Sequence, residues 1–118
     1  MLTDECRAYL KELLSYCNKL GIEHVLLLQP PHETQAADKS GLEQIESITK
    51  EYGYDFLDLS TDYESSVGID DSHDFADFEH LNAYGAQKLS SYIGDMAVNQ
   101  YGIKSDTAKS ELSRWKSL

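Results

Sequence analysis

The sequence predicts an α/β fold, a partial doubly wound parallel sheet with flanking helices, from three observations. Helix-type and strand-type apolar patterns alternate along the chain, in the order helix, strand, helix, strand, with short connections. The run Val25-Leu26-Leu27-Leu28 is continuously apolar, as a strand covered on both faces of a parallel sheet requires. The patterns stop at residues that end such elements, namely Gly21, Pro30-Pro31 and Gly53. A crossover between two parallel strands is expected to be right-handed. The 118 residues make one domain, or part of one, with a modest core.

The first helix is expected from about Asp4 to Leu20. Cys6, Leu10, Leu13, Leu14, Cys17 and Leu20 form its core-facing stripe. His24 to Gln29 reads as the first strand, and His32 to Lys39 as a polar loop. Ser40 and Glu43 have capping-box spacing, which places a second helix after Ser40. Leu42, Ile45, Ile48 and Tyr52 form its inner face. Tyr54 to Leu59 alternates as a second strand, and Ser60 to Ala76 is a long loop rich in Asp and Ser. A third helix runs from about Ala83 to Gln100 on Ala86, Leu89, Ile93 and Met96/Ala97. Ser105 and Asp106 are placed to cap a last helix holding Leu112 and Trp115.

Ten basic and 21 acidic residues give a net charge of −11, which argues against nucleic acid and anionic membrane surfaces as partners. The longest apolar run is far too short to span a bilayer, and no signal peptide is visible. Cys6 and Cys17 lie about 16 Å apart on one helix, too far for a disulfide. They read as buried free thiols of a reducing, cytoplasmic setting.

The most informative stretch is Asp77-Phe78-Glu79-His80-Leu81-Asn82-Ala83-Tyr84-Gly85-Ala86. A carboxylate three residues before a histidine can accept from one ring nitrogen, fix the tautomer and leave the other nitrogen as a general base. Asn82 is a good N-cap, so the histidine should stand on a loop backed by a helix. A surface turn in which Asp77 caps and His80 is incidental is the bland reading. Metal binding is a third, because Asp70, Asp71, His73, Asp74, Asp77 and His80 crowd eleven positions. No zinc-type or calcium-loop spacing is present, so solvated loop acidity is the simpler account, and neither metal nor cofactor is expected. His32 reads as an ordinary exposed loop histidine. Tyr84, Tyr92 and Tyr101 read as packing or interface residues.

The string 77–86 resembles the last conserved block of the SGNH (GDSL-type) hydrolases and acyltransferases, which reads Asp-x-x-His followed by Leu-Asn-x-x-Gly-Ala and a helix. The resemblance implies a flavodoxin-like SGNH domain of which residues 1–118 are the C-terminal part. It implies a Ser-His-Asp triad in which Asp77 orients and His80 acts as general base. The family's Gly-Asp-Ser nucleophile segment is absent. Gly41-Leu42 after Ser40 and Gly94-Asp95-Met96 lack its hydroxyl or its strand context. The isolated chain is therefore expected to hydrolyse feebly or not at all. Its substrate, once completed by the missing N-terminal part, would be a small-molecule ester or acylated compound. The other class left open is a non-catalytic α/β interaction or assembly module. An unflanked first strand would expose its edge, so self-association into a homo-oligomer is expected.

Overall fold

The computed structural model describes residues 2–31, 39–77 and 80–104. Helix α1 spans Asp4–Lys19, strand β1 Leu26–Gln29, helix α2 Lys39–Glu51, strand β2 Asp55–Asp58, the short helix α3 Tyr63–Ser66, and helix α4 Ala83–Asn99. The arrangement is mixed α/β. β1 and β2 pair in parallel with Leu26 opposite Asp55 and Gln29 opposite Asp58. Parallel neighbours need a crossover, and α2 lies on it and packs against β2 and α1. The doubly wound sheet expected from the sequence needs strands beyond these two.

Local chemistry explains the element ends. Thr3 caps α1 by accepting from the Cys6 N–H at 3.1 Å. Gly53, at φ +82°, lets the chain leave α2 in the left-handed conformation, with its N–H on the Lys50 carbonyl and that of Tyr54 on the Thr49 carbonyl. Ser40 lies inside α2, which begins at Lys39, so it does not cap the helix as its spacing with Glu43 suggested.

The core is built from Leu14, Ile48 and Tyr54, with Leu10, Cys17, Val25 and Tyr52 packed against them. Tyr54 donates its hydroxyl to the Ile22 carbonyl at 2.7 Å, and burial raises its pKa. Thr49 is fully buried and donates back to the Ile45 carbonyl, which satisfies its hydroxyl. Tyr101 reaches from beyond α4 to the Asp55 carboxylate at the amino end of β2, and its ring packs on His24.

Three expectations need correction. Leu13 and Leu20 are more than half exposed, so only part of the predicted α1 stripe faces the core. Cys6 is exposed as well, and Cys17 alone of the two thiols is half-buried. Every residue of β1 is half-buried, because a two-stranded sheet leaves an open groove of about 300 Å³ beside Leu27, Leu28 and Phe56. The helix expected to hold Leu112 and Trp115 and the loop expected to bear His32 fall outside the described residues.

Candidate functional site

After β2 the chain enters a segment in which Leu59, Tyr63 and Ile69 are all buried. The Tyr63 ring meets Phe75 edge-on at 5.7 Å, which ties the following turn to this segment. Phe75 and Leu81 then form an isolated antiparallel bridge, and the Ala76 N–H donates to the His80 carbonyl at 2.8 Å. These bonds pair the arms 75–77 and 80–81 as a hairpin, and Asp77 and His80 stand on those arms.

The two predicted site residues meet. His80 Nδ1 lies 2.8 Å from Asp77 Oδ1 and 3.1 Å from Oδ2. Their side chains are 70% and 60% exposed, so water screens the pair and it holds little free energy by itself. Its position comes from the structure behind it. Asn82 caps α4 by accepting from the Gly85 N–H at 3.0 Å. Its side-chain amide donates to the His73 carbonyl, and its backbone N–H to the Asp74 carbonyl.

Asp74 is the group that sequence reasoning missed. The acidity of residues 70–74 suggested solvated side chains, yet Asp74 is completely buried. One carboxylate oxygen accepts from Lys88 Nζ at 2.6 Å and from the Asp70 N–H at 2.8 Å, and the other sits 2.8 Å from His73 Nδ1. The Lys88 ammonium foremost, then the Asp70 N–H and His73, hold this carboxyl well below the usual carboxylate range. Asp70 is also lowered, chiefly by the hydroxyl and N–H of Ser72. Lys88 on α4 also donates to the Gly68 carbonyl, so the helix clamps the turn at two points.

A second histidine–carboxylate pair therefore stands beside the predicted one. The His73 ring packs on Tyr84 at 4.8 Å and lines an open groove of about 510 Å³ along α4, with Lys88, Ser91, Tyr92 and Asp95. Tyr84 and Tyr92 thus border a groove. The signal that could have found Asp74 is Lys88, which stands on the same face of α4 as Tyr84 and near the buried Gly85.

Among the described residues, no three His, Cys, Asp or Glu side chains converge as a metal site. Among the same residues no helix is long and apolar enough to cross a membrane. Chemically, the hairpin offers an imidazole oriented by a carboxylate on an accessible surface, the elements of proton transfer to or from a hydroxyl. No protein-family model, no curated protein and no solved structure matches the chain, so the resemblance to SGNH enzymes stands on the string 77–86 alone.

Proposed function

We propose that this chain is the C-terminal portion of an SGNH-type ester hydrolase or acyltransferase, within a doubly wound sheet completed by strands outside residues 1–118. Asp77 orients the imidazole through Nδ1. His80 accepts the hydroxyl proton of a serine supplied by the missing part, as that oxygen attacks the acyl carbon, and later returns it to the leaving group. The observation that supports this reading is the 2.8 Å contact between His80 Nδ1 and Asp77, on a hairpin backed by the Asn82 cap. Substrates would be small esters or acylated compounds, and the pocket that selects among them would come largely from the missing part.

The test is to translate the DNA upstream of Met1 and to express the extended product. The expected extension carries a Gly-Asp-Ser segment after a strand and hydrolyses p-nitrophenyl acetate, and His80→Ala abolishes the reaction. The present chain alone should not exceed imidazole at equal concentration. An extension without that segment, or an extended protein indifferent to His80→Ala, overturns the reading. The second reading is a non-catalytic assembly module, and one observation favours it: α1 exposes Tyr9, Leu13, Tyr16 and Leu20, each more than half accessible.

A further inference from the structure

Helix α1 has two apolar faces, and only one of them is used inside the described structure. Leu10, Leu14 and Cys17 pack into the core. Tyr9, Leu13, Tyr16 and Leu20 lie roughly 100° further round the helix, at the 3.6-residue turn. They are 64%, 53%, 59% and 58% exposed. Their intervals of four, three and four residues are those of a coiled-coil seam. A core-facing helix has no need of a second stripe, and four large apolar side chains left in water are a cost that a partner removes.

The charges flanking this seam indicate which partner. On the side away from the core stand Glu5, Glu12 and Lys19. Suppose a second α1 is laid antiparallel, with Leu13 against its Tyr16 and Tyr9 against its Leu20. Glu12 of each copy then falls beside Lys19 of the other, offset by about 3 Å along the axis at 1.5 Å per residue. Both contacts are made twice by symmetry, as an isologous two-fold interface requires. Sliding the pair so that Leu13 meets Tyr9 brings Glu12 beside Glu12 of the other copy, which repels. The sequence of α1 is therefore self-complementary in one register. An anionic lipid surface fits this face poorly, because the chain carries a net charge of −11.

We propose that the Tyr9–Leu13–Tyr16–Leu20 face of α1 is the docking surface for a second copy of this chain, paired antiparallel about a two-fold axis and registered by Glu12 and Lys19. This inference does not depend on the enzymatic reading. Two such helix faces bury on the order of 1,000 Å² in total, at the low end of specific interfaces, the size class of weak and transient encounters.

Sedimentation equilibrium of the full chain at about 1–100 μM tests it, a range suited to weak association. The expected result is a reversible monomer–dimer equilibrium. Leu13→Glu should weaken it at least about tenfold, as loss of a central anchor does. Far-ultraviolet circular dichroism should stay unchanged, since the residue is exposed. Lys19→Glu and Glu12→Lys should each weaken the dimer about two- to fivefold, and the two changes together should restore it. Three results would overturn the proposal. They are a monomer across the whole range, a dimer indifferent to Leu13→Glu (which would point to the open edge of β1), and a charge exchange that fails to restore association.

Discussion

The tightest steric constraint near the candidate site is at Gly85, and it yields a paired prediction. Gly85 is the third residue of α4, and its N–H is held by the Asn82 cap. A Cβ placed there would lie 2.3 Å from the Asp74 carbonyl oxygen, 2.9 Å from Leu81 Cδ2 and 3.2 Å from Asp74 Cβ. The first neighbour is backbone, and it accepts from the Asn82 N–H at 2.9 Å, so it cannot swing aside without breaking the bond that closes the hairpin. Gly94 in the same helix has nothing within 4 Å of its would-be Cβ. In an unobstructed helix Gly→Ala stabilises by about 0.5–1 kcal/mol, because glycine loses more backbone entropy on folding. Gly94→Ala should therefore gain about that much. Gly85→Ala carries the same propensity gain against overpacking of about 1–3 kcal/mol and a lost hydrogen bond of about 1 kcal/mol. The balance is a net loss of roughly 1–3 kcal/mol. Urea unfolding followed by circular dichroism measures both variants side by side. A Gly85→Ala protein as stable as Gly94→Ala would show that α4 does not press on the Asp74 turn, and the account of how the site is positioned would fall with it.

Asn82→Ala should destabilise the fold by about 1–2 kcal/mol in the same urea assay, through loss of the α4 cap and of the bond to the His73 carbonyl. Asp74 has a folded pKa below its ordinary value. Its contribution is thus complete above about pH 4 and is lost as pH falls through the depressed folded value. Stability should therefore decline with acid more steeply in the wild type than in Asp74→Asn, and parallel slopes would contradict the buried Lys88 contact. The Tyr101 phenol, held protonated chiefly by its hydrogen bond to Asp55, is pushed up to about 12. The stability it contributes is complete below the ordinary tyrosine range and is lost as pH rises through about 12. Phenolate absorbance should show a tyrosine titrating near pH 12 that disappears in Tyr101→Phe, while the raised titration of Tyr54 persists.

What the sequence revealed and what it hid divide along sequence distance. The three longer helices and both strands were legible within a residue or two of each end, because periodicity is a property of a local window. The Asn82 cap and the Asp77–His80 contact were legible for the same reason, since both join residues three apart. The buried state of Asp74 was not. Its decisive partner, Lys88, is fourteen residues away on another element, and nothing in an acidic loop marks which carboxylate the fold will enclose. The exposed face of α1 was hidden for a different reason. Periodicity gives the spacing of apolar residues but not how wide an arc the core covers, so Leu13 and Leu20 read as core beside Leu14. Ser40 shows the limit of short motifs, for its spacing with Glu43 suits a capping box while the helix already runs through it.

The burial of Asp74 changes where the order of the site comes from. The Asp77–His80 pair is exposed and screened, and such a pair does not hold a hairpin in place. The hairpin is held from behind. The Asp74 carboxylate gathers the Asp70 turn, His73 and Lys88 of α4, while its backbone carbonyl receives the Asn82 N–H. Asn82 in turn caps α4 and grips the His73 carbonyl. One buried carboxylate thus joins the turn before the hairpin, the helix after it and a second histidine. His80 is presented on a support whose geometry does not depend on its own carboxylate partner. That separation suits the general base proposed for His80. Asp77 can tune the tautomer of the ring, while Asp74, Asn82 and Gly85 fix where the backbone places it.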